Sequence, residues 1–148
     1  MISRKAKYGL KALICLAQNA GEGPVLIEDL AERERIPRKF LEQILLELKK
    51  KGLLVSRKGR GGGYRLGRSP KDISMAEIIR ILDGPLAPVP CVSVMAYAPC
   101  EECLDPRACG IRLVMQEVRD GIARILDSAS LAEVLRRVER NKKGIKKQ

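Results

Sequence analysis

The segment from Cys91 to Cys109 constrains the fold of this chain more than any other, because four of the five cysteines fall within its nineteen residues. Gaps of eight, two and five residues separate Cys91, Cys100, Cys103 and Cys109. Prolines and two adjacent glutamates surround these cysteines, so the segment lacks the apolar residues for a core of its own. We therefore expect either disulfide bonds or a thiolate-bound ion or cluster to hold it in place.

The expected cellular compartment favours one of these two options. The sequence begins Met-Ile-Ser-Arg-Lys without a signal-peptide pattern, which predicts a protein of the reducing cytoplasm. Disulfides are rare there, and clustered cysteines are more often metal ligands or redox-active thiols. Ligation of a metal or cluster is the preferred interpretation, followed by redox thiols without metal and then by unligated structural cysteines.

The composition excludes several classes of function. Histidine is absent, which rules out catalysis by Ser-His-Asp or Cys-His arrangements and leaves cysteine, carboxylate, backbone or non-protein groups as metal ligands. The sequence therefore predicts that the protein is not an enzyme. No apolar run approaches the ~20 residues that a membrane-spanning helix needs, which predicts a soluble protein.

The charge is concentrated in the N-terminal half. The chain carries a net charge of +11, and residues 1–66 contain 15 basic against 7 acidic residues. A basic half of this kind predicts a polyanionic partner such as double-stranded DNA.

The same half shows the pattern of a helix-turn-helix. An amphipathic helix is predicted over residues 3–19 and a short helix over 25–31. A third helix, the second of the helix-turn-helix, begins at Pro37, a residue suited to a first helical position. Residues 37–50 are the predicted recognition helix. Its groove-facing candidates are Arg38, Lys39, Glu42 and Gln43. Glu42 could accept from cytosine, or it could pair with Arg38 one turn earlier.

A β-hairpin is predicted directly after this helix and would form a wing. Residues 53–57 and 64–66 have strand character, and a basic, glycine-rich turn joins them. The predicted DNA contacts of the wing are Lys58, Arg60, Gly61 and Tyr64. A nucleotide cradle is disfavoured because the glycines precede a strand and lack the phosphate-loop pattern.

The C-terminal half is predicted to be helical. Ser74 with Glu77, and Ser130 with Glu133, form capping-box patterns at the starts of two helices. Between them, apolar residues at threes and fours form a seam: Ile111, Val114, Met115, Val118, Ile122, Ile125 and Leu126. This seam predicts a long helix that packs against a second copy of the chain, with burial inside its own protomer as the alternative.

Several stretches together resemble a known family. They are Phe40-Leu-Glu-Gln-Ile-Leu, Lys51-Gly-Leu-Leu-Val-Ser, Arg60-Gly-Gly-Gly-Tyr-Arg-Leu and the cysteine segment ahead of a long helix. The chain is similar to the Rrf-two (Rrf2) family of bacterial transcriptional regulators, in its iron-sulfur-binding, IscR- and NsrR-like branch, over about residues 1–135. The resemblance implies a mainly α, winged helix-turn-helix protein that binds a palindromic promoter site as a homodimer.

The resulting domain prediction has four parts. Residues 1–84 form the winged helix-turn-helix domain and 85–110 the cysteine-rich cluster loop. Residues 111–141 form the dimerisation helices, and 142–148 a basic, disordered tail.

The resemblance also implies a cofactor. Members of the family hold an iron-sulfur cluster on three cysteines, which Cys91, Cys103 and Cys109 match, and on a fourth ligand that varies. The histidine-completed two-iron branch is excluded, since Arg112 stands three residues after Cys109. The nitric-oxide branch uses an aspartate in the first helix, where this chain has Lys7 and Tyr8.

The fourth ligand is therefore Cys100 or an exogenous group. Four cysteines would suit the iron of a 4Fe-4S cluster better than a 2Fe-2S cluster. Zinc is the alternative, because Cys100-x-x-Cys103 is also a zinc-type spacing. Cys15, in the apolar first helix, is predicted to be a core residue.

The predicted function is a promoter-binding repressor whose cluster senses iron, redox state or nitric oxide. A zinc-stapled or thiol-redox winged-helix regulator without a cluster is the alternative, and an iron-sulfur electron carrier is a second one.

Overall fold

The computed structural model describes residues 2–146, which form six α-helices and one antiparallel hairpin. The elements are α1 (Arg4–Gln18), α2 (Ile27–Glu34), α3 (Arg38–Lys50), β1 (Leu54–Arg57), β2 (Gly63–Leu66), α4 (Met75–Asp83), α5 (Gly110–Ser128) and α6 (Leu131–Ile145). Two single 3₁₀ turns, Pro70–Asp72 and Pro90–Val92, precede α4 and follow it. Within the described range, no helix is both long and apolar enough to cross a membrane.

The core is aliphatic and centres on α1, which contacts α2, α3, α4 and α6. Leu13 of α1 and Leu41, Ile44 and Leu48 of α3 are fully buried. Cys15 is 3% exposed and belongs to this core, as predicted.

Two close contacts hold the neighbours of α1 in place. The ring of Tyr8 meets that of Phe40 edge-on at 5.5 Å between centroids, which joins α1 to α3. On another face, α4 approaches α1 so closely that a Cβ at Gly9 would overlap the side chain of Leu82. Helices α3 and α4 are therefore both packed directly against α1.

The hairpin is joined to the helical domain through its backbone. Leu54 pairs with Leu66 and Arg57 with Gly63, while Tyr64 exchanges two 2.8 Å backbone hydrogen bonds with Val25. Gly63 has φ of 135°, and a Cβ there would overlap the carbonyl group of Val25. The predicted basic, glycine-rich turn thus ends at a position where the fold requires glycine.

The starts of α4 and α6 lie side by side. The N–H of Met75 donates to the carbonyl of Ala129, and the N–H of Leu131 donates to the carbonyl of Ile73, both at 2.9 Å. Ser74 and Ser130 each accept from the N–H three residues later at 3.1 Å, which is the first half of the predicted capping boxes.

The second half of each box is replaced by arginine pairing, which a sequence pattern does not reveal. The carboxylate of Glu77 binds Arg68, and that of Glu133 binds Arg136 and Arg137. The arginines on Glu133 lower the pKa of its carboxyl group, with Arg136 contributing most.

The two C-terminal helices differ in how they relate to the core. Leu131 of α6 is fully buried, whereas α5 has no buried residue along its described length. Helix α6 continues through Ile145, so residues 142–145 are helical where the sequence predicts a disordered tail. Lys147 and Gln148, the end of that predicted tail, lie outside the described residues.

Candidate nucleic-acid interface and cysteine-lined cavity

The predicted groove-facing residues share one exposed surface of α3. Arg38, Lys39, Glu42 and Gln43 are all exposed. The opposite face is anchored by the buried leucines and isoleucine of the core. The helix begins one residue later than predicted, because Pro37 has extended geometry with ψ of 124° and precedes the first helical residue.

Two of these four side chains are paired with each other. The guanidinium of Arg38 contacts Glu28 at 2.9 Å and Glu42 at 3.2 Å. This is the intrahelical pairing weighed against base contact for Glu42. Both side chains are about half exposed, and such surface pairs contribute about 1 kcal/mol or less, so DNA could displace them at small cost.

The wing presents most of its predicted contacts to solvent. Lys58, Arg60 and Gly61 are exposed at the tip, where the N–H of Gly62 donates to the carbonyl of Gly59 and closes the turn. Tyr64 differs, because it is half-buried and packs against the core. Its clearest structural role is to join the wing to Val25, and a DNA contact by its hydroxyl stays a prediction.

Arg35 is a candidate contact that the sequence pattern does not single out. It ends α2 with φ of 54° and ψ of 51°, a left-handed conformation usually taken by glycine at this position. Arg35 is the one non-glycine residue with positive φ in the described range, and its side chain is exposed between α2 and α3. An arginine kept in a strained turn beside the recognition helix is a candidate for phosphate binding.

The four clustered cysteines line a single cavity of about 440 Å³. Cys91 lies in the second 3₁₀ turn, Cys100 and Cys103 in the following loop, and Cys109 is the N-cap residue of α5. Cys100 is exposed and the other three are half-buried. The rest of the lining is mostly apolar, with Val89, Tyr97, Ile111 and three prolines.

The thiols are close enough to influence one another. Partial burial raises the pKa of the Cys103 thiol, and the nearby Cys109 thiol raises that pKa further. Cys100 and Cys91 act in the same direction. Even so, no three His, Cys, Asp or Glu side chains among residues 2–146 are grouped tightly enough to hold one metal ion.

Helix α5 holds both ends of the cysteine segment. Cys109 begins the helix, and its carbonyl accepts from the N–H of Leu113 at 3.1 Å. At the other end, Arg119 donates to the carbonyl of Val92 at 2.7 Å, and Val92 is only 2% exposed. Cys91 and Cys109 are therefore both positioned by α5, although seventeen residues lie between them in the sequence.

An ion pair connects α5 to α4. The guanidinium of Arg80 donates to both carboxylate oxygens of Asp127, at 2.6 and 3.0 Å. This contact lowers the pKa of Asp127 and raises that of Arg80. Helix α4 in turn contacts α1 and α3, so a continuous set of contacts runs from the cavity to the recognition helix.

Known proteins match nearly the whole chain. A family model described as "Rrf2: Iron-dependent Transcriptional regulator" matches residues 2–137. An rrf2-like HTH-type transcriptional regulator of Rhodobacter capsulatus is 46% identical over 138 residues, covering 91% of this chain and 92% of the relative.

Two solved structures extend the likeness to the fold. The structure of CymR, the global cysteine regulator of B. subtilis, has a TM-score of 0.76 at 34% identity and covers 90% of this chain and 95% of its own. IscR of T. potens also has a TM-score of 0.76 at 34% identity, with 95% and 90% covered. These matches confirm the predicted mainly α, winged helix-turn-helix fold.

Proposed function

This chain belongs to the Rrf2 family of transcriptional regulators, and on that basis we propose a homodimeric repressor that binds a palindromic promoter site in the cytoplasm under the control of an iron-sulfur cluster. Like its relatives, the chain is a DNA-binding transcriptional regulator and not an enzyme. One observation carries the cluster proposal: Cys91, Cys100, Cys103 and Cys109 line the same cavity.

The donor set fits a cluster better than a single zinc ion. Zinc binds thiolates at about 2.3 Å, which would bring four sulfurs within about 4 Å of one another around a single centre. The described side chains have no such convergence of three donors. A cluster of several iron and sulfide atoms is larger than one ion, so four cysteines spread around a cavity suit it better.

The position of the cavity also favours an anionic occupant. Cys109 lines the cavity and is the N-cap of α5, and its side chain makes no capping hydrogen bond to the first N–H groups of this helix. A helix N-terminus stabilises thiolates and other negative charge. A bound cluster would supply a redox-sensitive charge at this point.

The protein's own contacts would carry the state of the cavity to the DNA-binding surface. Tying Cys91 to Cys109 would fix the second 3₁₀ turn against α5, in line with the hydrogen bond from Arg119. The Arg80–Asp127 pair would transfer any shift of α5 to α4 and thus to the α1–α3 unit. Without the link between Cys91 and Cys109, α5 and the α5 of the second subunit would be able to move. This movement would change the spacing of the two recognition helices.

The uncovered face of α5 is proposed as the dimer interface. Ile111 is 69%, Val114 57% and Ile125 59% exposed, and Val118 and Ile122 lie on the same stripe. A helix with such a stripe and no buried residue needs a partner, and a second copy supplies an identical seam. Two winged domains would then reach two half-sites.

A combined spectrum and footprint tests the proposal. Oxygen-free protein reconstituted with iron and sulfide is expected to turn brown, with absorbance from thiolate-to-iron charge transfer, and to protect a palindromic site differently from the cluster-free protein. A colourless product containing one zinc per chain would instead support the zinc-stapled alternative. Brown protein without salt-dependent duplex binding would point to an electron carrier.

A thiol-based regulator without a cluster is the second candidate. It is favoured by the likeness to CymR, which is 35% identical over 90% of this chain and whose structure is described as that of a global cysteine regulator. The same reconstitution separates the two candidates, because a thiol-based regulator would stay colourless and metal-free while its DNA binding changed with oxidant alone.

Removing the two cations of the wing tip is expected to weaken binding to all duplex sequences alike. The double variant Lys58→Ala, Arg60→Ala should lower the slope of log affinity against log salt by about 2, since each cation would contact one phosphate. Affinity titrations from low to moderate salt measure this slope. The matched control removes two exposed cations outside the winged domain, Arg107→Gln and Arg124→Gln, and should keep the original slope.

Arg35 offers a test that separates stability from DNA binding. Arg35→Gly should relieve left-handed strain of about 1–2 kcal/mol, partly offset by about 0.5–1 kcal/mol of extra chain entropy, so unfolding should cost slightly more. Arg35→Ala keeps the strain and loses the charge. Both variants should lose one phosphate contact in the salt titration, while only the glycine variant gains stability in denaturant unfolding. Equal salt slopes for all three proteins would remove Arg35 from the interface.

A further inference from the structure

The cysteine-lined cavity contains one cation whose hydrogen bonding is incomplete. Arg112 lies on α5 three residues after Cys109 and lines the cavity together with the four cysteines. Its Nε is buried and is the one buried side-chain nitrogen or oxygen among the described residues that has no hydrogen-bond partner. Its guanidinium makes one long contact, from an NH₂ group to the carbonyl of Pro106 at 3.5 Å.

The position of Arg112 is unfavourable in a second respect. It belongs to the first turn of α5, where the helix dipole favours negative charge and opposes a cation. That turn contains no acidic residue to compensate. An unpartnered donor and an opposed charge are both costly in a mostly apolar surrounding, and an anionic acceptor in the cavity would remove both costs.

The neighbouring acids do not supply that acceptor. Asp105 binds the backbone N–H and the side chain of Arg107, at 2.9 and 3.4 Å. Among the cavity-lining residues that the structure describes, Arg112 is the one with a cationic side chain. The four cysteines line the same cavity.

We propose that Arg112 donates a hydrogen bond from its Nε to a sulfur of the cluster held by Cys91, Cys100, Cys103 and Cys109, and thereby sets the reduction potential of that cluster. This inference rests on the proposed iron-sulfur function. Four thiolates around a 4Fe-4S core would carry a net negative charge, and this charge would grow by one for each electron that an added reductant supplies. A cation and a hydrogen-bond donor beside the sulfurs would stabilise the more negative, reduced state.

The test compares three variants of the full-length, reconstituted protein. Arg112→Gln removes the charge, Arg112→Lys keeps a charge without the planar guanidinium, and Arg107→Gln removes a loop cation whose side chain is 91% exposed. An anaerobic redox titration followed by visible absorbance and electron paramagnetic resonance gives the one-electron midpoint potential. Melting curves of the cluster-free proteins give a second, independent measurement.

Arg112→Gln is expected to lower the equilibrium constant for reduction about tenfold, equal to about 59 mV for one electron. Arg112→Lys should show a smaller shift, and Arg107→Gln a shift of less than about twofold because solvent screens an exposed charge. The cluster-free Arg112→Gln protein should melt at or above the temperature of the unaltered protein, since it lacks the unpartnered donor. A purely structural role would predict a lower melting temperature.

Each other outcome has a defined meaning. Failure of the unaltered protein to take up a cluster contradicts the proposed function itself. A loaded Arg112→Gln protein with an unchanged potential, an equal shift in Arg107→Gln, or a lower melting temperature of the cluster-free variant overturns the role of Arg112. If Arg112→Gln folds normally but takes up no cluster while Arg107→Gln does, the donor is needed for retention, which supports the proposal.

Discussion

Replacing Cys103 with serine is expected to lower the iron bound per chain to less than about a tenth of the original, because a cluster of this type depends on its thiolate ligands. Cys103 is the most central of the four cysteines by its contacts. Its N–H donates to the carbonyl of Cys100 at 3.2 Å, and burial together with the three other thiols raises the pKa of its own thiol. Iron content and visible absorbance after anaerobic reconstitution measure the loss.

Two companion variants make this result specific. Cys15→Ala changes a cysteine that is 3% exposed in α1 and does not line the cavity, so the iron content of this variant should be unchanged. Cys100→Ser should also lose the cluster if Cys100 is the fourth ligand, whereas normal loading would assign that position to an exogenous group. The Cys103→Ser protein should bind operator DNA with one affinity, with or without reconstitution. A Cys103→Ser protein that keeps its full colour contradicts the proposed ligand set.

The second large effect is expected from Val118→Glu on α5. Val118 lies in the middle of the uncovered stripe, so the proposed dimer would bury two unpaired carboxylates in place of two valines. We expect the dimer to dissociate at micromolar concentrations. Affinity for a palindromic site should then fall by about 10²–10⁴, because the second half-site no longer benefits from tethering.

Light scattering and operator titration measure these two consequences. The matched control is Arg124→Gln, which makes the same change of charge on an exposed residue about 120° round the helix from Val118. Because α5 has no buried residue in the described protomer, both variants should keep the helical circular dichroism of the folded chain. A Val118→Glu protein that remains a dimer would place the interface elsewhere.

The local structure could be predicted from the sequence to within a few residues. The recognition helix was predicted over 37–50 and is Arg38–Lys50, and the wing strands agree similarly well. Short-range causes explain this success, since helical periodicity, serine caps and a glycine-rich turn each act over a few neighbouring residues. The same local patterns did not indicate that α6 continues through Ile145.

The candidate contacts were only partly predictable. The exposed groups on α3 and at the wing tip follow from the helical periodicity and from the polar turn in the sequence. Tyr64 is half-buried because its backbone forms hydrogen bonds with Val25, which is far away in sequence. Arg35 was not predicted as a contact, since no pattern in the neighbouring residues indicates that its backbone adopts a left-handed conformation. Arg35 lies in the turn between α2 and α3, and both of these helices pack against α1.

The amino-acid sequence by itself determined the basic winged domain, the absence of histidine chemistry and the concentration of thiols in one segment, because these depend on residue identity and short-range spacing. Only the tertiary structure decided that the four cysteines share one cavity, that Arg119 and Cys109 hold both ends of their segment on α5, and that the Nε of Arg112 lacks a partner. These features arise where residues distant in sequence are packed together, and their distances and burial are set by the whole fold.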